Sequence, residues 1–304
     1  MPDANNSETT IFQKIKDNAA AWIAAGFMVL ATAAGTYIVS DHISSNNLNF
    51  VDVGWWNIRD FSTSSRNDNE IAQIADIIDS DVLAIGELND TRALELLTEK
   101  LGSSWAWAAT SKKVGKNAWT AEYYGFVWNE DKVTLLDSVH IYGDPGNDFD
   151  RDPAWATFRT VDDNLDFTVI AIHVTWGDRV GPRKAEVMAM KKVWLDVQDE
   201  TTTDNDLIVV GDFNRNKNDT SFDSLLSIHG MIRANQGTGP THISSSTTYD
   251  QIFISTDFTK EWTGETATVR FDETNFNSDE DAKLVASDHR PVRIKLYIPD
   301  NDDD

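Results

Sequence analysis

Beyond residue 45 the chain alternates short apolar runs with polar turns. Most runs are too short and too rich in β-branched and aromatic residues for helices. The pattern predicts strands at 50–58, 82–85, 124–128, 155–161, 167–172, 207–210, 249–254 and 292–298. Two intervening segments carry a helical period instead. In 70–78, Ile71, Ile74, Ala75 and Ile78 fall on one face; 182–197 opens on Pro182 and places Val187, Met190, Val193 and Leu195 as its apolar positions. Many strands with few helices predict two packed sheets covered by helices, an α+β or four-layer α/β sandwich. No Pro/Gly-rich break or repeat divides 45–298, which reads as one domain.

The stretch 19–39 has a different pattern: it carries no charge at all. As a helix it would span roughly 30 Å, about one hydrocarbon core. Lys14 and Lys16 precede it and Asp41 follows, which directs the N-terminus to the cytoplasm and the remainder outward. Residues 1–44 therefore read as an export signal or membrane anchor. Ala31-Thr32-Ala33 offers a signal-peptidase site, and both cleavage and retention fit. The domain is expected outside the cytoplasm: periplasmic, extracellular, or attached to the outer face of the cytoplasmic membrane. Residues 44–47 form a short polar linker and 299–304 an acidic, solvated tail.

Composition narrows the chemistry. The 304 residues include no cysteine, which excludes disulfides, thiolate zinc sites and cysteine nucleophiles. Any metal must be held by Asp, Glu, Asn and His, a set that favours hard cations. Lys and Arg total 26 against 50 Asp and Glu, a net charge of −24. That excess suits a hydrated surface in a saline medium and repels nucleic acid unless a local cationic strip opposes it. Arg59, Arg151, Arg179 and Arg183 are the candidates for such a strip.

Several predicted strands end on polar residues, where a rigid element can present them to a cleft. Val82-Leu83-Ala84-Ile85-Gly86-Glu87 ends on a carboxylate, and Val169-Ile170-Ala171-Ile172-His173 on an imidazole. Val209-Val210-Gly211-Asp212-Phe213-Asn214 ends on an Asp and an Asn, with Gly211 permitting a tight exit. Asp250 precedes an apolar run, and Ser287-Asp288-His289 precedes the last strand. Each alone is an ordinary turn or cap.

Taken in order, Asn57, Glu87, His173, the GDFN at 211–214, Tyr249-Asp250 and the SDH at 287–289 resemble the endonuclease/exonuclease/phosphatase superfamily. Its members include deoxyribonuclease I, exonuclease III and neutral sphingomyelinases. The resemblance spans about 50–298 and is nearest to bacterial nucleases of the deoxyribonuclease I type. It implies a four-layer αββα sandwich and metal-dependent attack of water on a phosphodiester. Glu87 becomes the leading metal ligand, with Asp288 and Asn57 completing or supporting the site; Mg2+ is expected, Mn2+ fits, and Ca2+ fits a structural role. His173 and His289 become proton-transfer or phosphate-contact groups, with Asp250 orienting His289 and Asp212 and Asn214 positioning water and phosphate. Glu122 falls where such nucleases pair a Glu with the first histidine, and Arg151 where an Arg contacts phosphate. On that reading Arg151→Ala weakens DNA cleavage far more than folding.

Three functions compete. The first is an exported, monomeric endonuclease acting on DNA. The second is a lipid phosphodiesterase of the sphingomyelinase or phosphoinositide type, though no long apolar loop for bilayer contact stands out. The third is a catalytically silent binding module. His42, His140, His229 and His242 have no motif partner and read as surface or core residues, and Trp55, Trp56, Trp105 and Trp107 as core. Trp176 is a candidate for stacking near the cleft, and Asp279-Glu280-Asp281 reads as a solvated loop, although exposed acidic loops also bind calcium.

Overall fold

The computed structural model describes residues 50–201 and 206–300, and the backbone of two short upstream strands, Val29–Thr32 (β1) and Gly35–Ile38 (β2), which pair antiparallel. The rest of the uncharged stretch 19–39, the 44–47 linker, His42 and residues 301–304 of the tail lie outside the described residues. Among the described residues no helix is long and apolar enough to cross a membrane. Chain contacts divide between Asn49 and Phe50, and the second unit carries the chemistry.

In that unit come β3 (Phe50–Phe61), β4 (Val82–Leu88), β5 (Trp105–Ala109), β6 (Tyr123–Asn129), β7 (Val133–Leu135) and β8 (His140–Ile141). They are followed by β9 (Ala154–Thr160), β10 (Asp166–His173), β11 (Leu207–Asp212), β12 (Met231–Arg233), β13 (Asp250–Ser255), β14 (Trp262–Thr268) and β15 (Val292–Tyr297). All eight predicted runs are strands. One six-stranded sheet has the order β14-β15-β3-β4-β6-β5; a seven-stranded sheet runs β12-β13-β11-β10-β9-β7, with β8 also on β9. The strands missing from the sequence reading are mostly short or lie at edges. β5 and β14 bury no residue fully, so no apolar alternation marks them.

Period-2 side-chain alternation divides each central strand between two cores. Val51, Val53 and Trp55 of β3 meet Phe158, Val169, Val210 and Ile252 of the other sheet in one cluster between the sheets. The opposite faces pack against helices. Trp56, Ile58, Leu83 and Ile85 lie under α1 (Asp68–Ala75) and α2 (Arg92–Leu101). Ile170, Ile172, Leu207 and Val209 lie under α3 (Val180–Glu200). The result is an α+β sandwich with a helical layer on the outer face of each sheet.

Local signals place the helices. Asn67 and Glu70 form a reciprocal capping box at the start of α1. In α3 the buried stripe is Val187, Met190, Val193, Trp194 and Val197, whereas Leu195 is 45% exposed. The expected apolar role of Leu195 fails because the 3.6 period carries the stripe from 193 to 194 and 197. After α4 (Asp223–Leu226) and α5 (Phe271–Thr274), Asp279–Val285 forms α6. Its acidic triplet is thus the first turn of a helix rather than a loop, capped by Ser278 and favoured by the helix dipole. Trp55 and Trp56 are fully buried; Trp105 and Trp107 are only partly so, packed against the helix-side core.

Phe158 sits between the sheets with rings of Phe126, Trp128 and Phe167 at 6.2, 5.6 and 5.9 Å. Phe158→Ala is expected to lower the unfolding free energy by about 3–5 kcal/mol, and Leu195→Ala by less than about 0.5 kcal/mol. Urea denaturation checks both; equal losses would contradict this assignment of core and surface.

Candidate active site

Register gathers the polar strand ends at one edge of the sandwich. β10 and β11 run parallel with His173 opposite Asp212, and β13 runs antiparallel with Asp250 opposite Asp212. In the other sheet β3 and β4 run parallel with Asn57 opposite Gly86, and β15 enters antiparallel beside Trp55. Two glycines allow the close approaches this needs. A Cβ on Gly86 would lie 2.5 Å from the Trp55 ring, and one on Gly211 would lie 2.0 Å from the Ile172 carbonyl oxygen. Gly211 therefore serves strand contact inside β11, not the tight exit expected of it. Glu87 stands where the pairing of β4 slips against both neighbours, with φ +56°, and Asn214 has φ +48°. Non-glycine residues in this region are strained, and such strain clusters at functional sites.

Asp212 is the centre. Its Oδ1 accepts from the Asn214 N–H at 2.8 Å, and its Oδ2 accepts from Asn57 Nδ2 at 3.2 Å. The same Oδ2 lies 3.8 Å from His173 Nε2 and 3.7 Å from His289 Nε2. Each imidazole is held from behind by a buried carboxylate: His173 Nδ1 lies 3.0 Å from Glu122, and His289 Nδ1 lies 2.7 Å from Asp250. Both His–carboxylate pairs suggested by the resemblance are thus in contact. The Trp55 indole donates to Asp250 Oδ1 at 2.9 Å, and the Tyr124 hydroxyl accepts from the His173 N–H at 2.7 Å. Ser287 Oγ donates to the Asn57 carbonyl at 2.6 Å and Trp56 Nε1 to the His289 carbonyl at 2.7 Å, which fastens the SDH turn to β3.

These groups open on a cleft of about 590 Å³ lined also by Arg59, Asp60, Asn89, Trp119, Asn214 and Trp176. Five carboxylates (Asp60, Glu87, Glu122, Asp212, Asp288) against two guanidiniums line it, a field hostile to phosphate unless cations offset it. The donor set fits such an ion. Asn57 donates to Glu87 Oε1 at 2.9 Å, while its own Oδ1 is buried without a hydrogen-bond partner. An orphaned amide oxygen beside a partly exposed carboxylate, with Asp288 in the same cleft, offers the oxygen ligands of a hard cation. Asp212, Asp250 and His289 also bring ligand atoms within 4.8 Å of one another. Asp250 Oδ1 already accepts from Trp55 and its Oδ2 meets His289, so Glu87 and Asn57 are the better cation site.

At the two imidazoles and Asp212 burial works against charge, and partner charges overrule it. Desolvation alone would lower the His289 pKa, but the Asp250 and Asp212 carboxylates raise it to about 10. Burial and Arg151 oppose protonation of His173, yet Glu122 raises it above its ordinary value. Burial would raise the Asp212 carboxyl, but His289 and His173 hold it below the usual range.

Three residues sit differently from expectation. Arg151 is 1% exposed, and its guanidinium donates to the carbonyls of His173 (2.9 Å), Val174 (3.1 Å) and Thr120 (3.3 Å). It lies beneath the cleft floor as an internal brace, so Arg151→Ala must disturb folding as well as activity. Arg183 donates to the Asn214 carbonyl. His242, which has no motif partner in the sequence and reads there as a surface or core residue, forms a β-bridge with His289, its ring 5.2 Å away, and lies 3.7 Å from Asp288. The 231–250 connection that carries His242 held no motif to signal this. Glu186 of α3 was also silent in the sequence: its carboxylate accepts from the N–H groups of Asp150 and Thr175 at 3.1 and 2.8 Å.

Fold and cleft together place the candidate site at one edge of a helix-covered sheet sandwich. Residues 54–289 match the endonuclease/exonuclease/phosphatase family, and the chain belongs to that family of phosphoester hydrolases. It is 31% identical over 167 residues to a deoxyribonuclease of Thioalkalivibrio sp., covering 52% of this chain and 45% of that protein. It is 24% identical over 276 residues to the bovine endonuclease/exonuclease/phosphatase family domain-containing protein 1, covering 80% of this chain and 48% of that one. The chain thus spans about half the length of the curated relatives it matches. Among solved structures the human nocturnin catalytic domain superposes with a TM-score of 0.59 at 15% identity, over 82% of this chain and 95% of that one.

The pH dependence follows from His289. Its folded pKa of about 10 lies above the unfolded value near 6.5. The stability it contributes is fully present below pH ~6.5 and is lost as pH rises through about 10. Thermal melts of the metal-free protein across that range should show a falling melting temperature, and His289→Gln should flatten the fall. An equally steep fall in the variant would assign the titration to another group.

Proposed function

We propose that the chain is a metal-dependent endonuclease cleaving DNA. The observation that carries this reading is the convergence of two carboxylate-backed imidazoles on Asp212, with Nε2 atoms 3.7 and 3.8 Å from one oxygen. Such a gap lets a phosphate oxygen or a water meet both rings and the carboxylate together. The similarity to a deoxyribonuclease supports DNA over other phosphoesters.

The residues divide the work. At neutral pH His289 is held protonated, so it donates to a phosphate oxygen or to the leaving oxygen rather than taking a proton. The acceptor facing it is Asp212, ionised and fixed by Asn57 and Asn214, which orients water and takes its proton. His173, backed by Glu122, contacts a second phosphate oxygen, and the Asn214 side chain stays tied to the Val174 carbonyl at 2.8 Å. Glu87, Asn57 and Asp288 would hold a divalent ion, magnesium by preference, which when bound neutralises the phosphate and stabilises the leaving oxygen. Asp250 orients His289 without touching substrate.

The uncharged stretch 19–39 with Lys14 and Lys16 before it supports export of the enzyme, released or tethered outside the cytoplasm. There extracellular DNA is the accessible substrate, and repair of genomic DNA is not.

The test is plasmid nicking by the purified protein. Nicking should require divalent metal and stop with chelator. His173→Gln and His289→Gln should each lower it about 100- to 10,000-fold, and Glu87→Gln should raise the metal concentration needed. Hydrolysis of sphingomyelin with no nicking would move the substrate to lipid; full nicking by a folded His289→Gln variant would remove the assigned chemistry.

A further inference from the structure

Two large side chains of the cleft wall face solvent: Trp119 is 98% exposed and Trp176 is 69% exposed. Apolar surface left in water beside a polar cleft marks a contact surface, and indole is the ring best suited to stacking. The backbone beneath each ring is held firmly. The buried Arg151 guanidinium bonds the Thr120 carbonyl next to Trp119, the Val174 carbonyl two residues before Trp176, and the carbonyl of His173 itself. Glu186 takes the Thr175 N–H at 2.8 Å, and Asn214 donates to the Val174 carbonyl at 2.8 Å. Two exposed rings are therefore carried on backbone braced against the first catalytic imidazole.

We propose that Trp119 and Trp176 are base-stacking residues that take the faces of unpaired nucleobases flanking the scissile phosphodiester, with Arg151 and Glu186 as the positioning residues beneath them. This rests on the nuclease reading of the same cleft and names its substrate as single-stranded or locally melted. Bases in a duplex are stacked on one another and offer only their edges, whereas an unpaired base has a free face of any sequence. Stacking also answers the charge problem. A chain of net charge −24 with five carboxylates in its cleft gains little from phosphate attraction, and stacking supplies affinity that salt does not screen.

The probe is a short thymidine oligonucleotide, compared with the same oligonucleotide carrying abasic sugars on both sides of one cleavable bond. Trp119→Ala and Trp176→Ala should each raise KM on the base-bearing strand about tenfold, leave kcat within about twofold, and leave cleavage at the abasic-flanked bond unchanged. Trp176→Phe should recover most of the loss, since a smaller ring still stacks. With chelator present, the oligonucleotide should quench tryptophan fluorescence of the wild type and not of the double variant, a readout that needs no turnover. Wild-type KM in both alanine variants, or an equal loss at the abasic-flanked bond, would overturn the proposal. So would normal oligonucleotide cleavage with lost binding to phosphatidylglycerol vesicles, which would make the rings a membrane contact. If no nucleic acid is cleaved, the nuclease reading falls by itself; stacking then stands or falls on the quenching alone.

Discussion

The site is organised around a carboxylate buried where no carboxylate would stay ionised unaided. Asp212 has lost nearly all its water, and two imidazoles and two amide donors compensate for it. The compensation must extend further, because each imidazole is itself buried. Glu122 and Asp250 answer that need, and they in turn require Arg151 and the Trp55 indole. A chain of opposite charges and donors thus runs from one sheet, through the cleft, into the other. Removing any member leaves a buried charge without its partner, which is why the fold and the chemistry are hard to separate here.

β3 is the strand on which this chain depends most. Three successive residues, Trp55, Trp56 and Asn57, point alternately toward the two cores and each ends on a group of the candidate site: the Asp250 carboxylate, the His289 carbonyl, and the Glu87 and Asp212 carboxylates. The alternation that buries Trp55 between the sheets also turns Trp56 to the helical layer, so both layers report on the position of His289. The slipped pairing around Glu87 and its positive φ then re-aim one carboxylate from the sheet face into the cleft.

The acidity of the chain takes on a different meaning once the cleft is seen. The surface excess suits hydration, and the carboxylates of the cleft need cations and imidazolium to accept a phosphate. The cationic strip offered by the arginines is weaker than their number suggested. Arg151 is spent on backbone carbonyls, Arg183 reaches the Asn214 carbonyl, and Arg179 is exposed at the start of α3 and does not line the cleft, which leaves Arg59 as the cleft arginine open to solvent.

Much of the fold was legible in the sequence. The eight apolar runs and the helical period of α1 rest on local rules of side-chain spacing, and the ordered GDFN and SDH motifs on the family resemblance they carry. The edge strands β5 and β14 were not, because half-exposed strands lose the alternation that would mark them. Leu195 and the acidic turn of α6 sit elsewhere than expected although both signals are local: the 3.6 period selects Trp194 over Leu195, and Ser278 caps the helix. The sequence nominated His173, His289 and Glu87 only through the order of the motifs and the family resemblance they carry, since each strand-end polar residue by itself is an ordinary turn or cap. What only the tertiary structure decided is which groups share a low-dielectric space: that Asp212 faces both imidazoles, that Arg151 is a brace under the floor, that His242 touches His289, and that Trp119 stands free at the rim. Such facts depend on contacts between residues far apart in the chain, and burial, which sets the strength of every charge interaction, exists only once the two sheets have closed on each other.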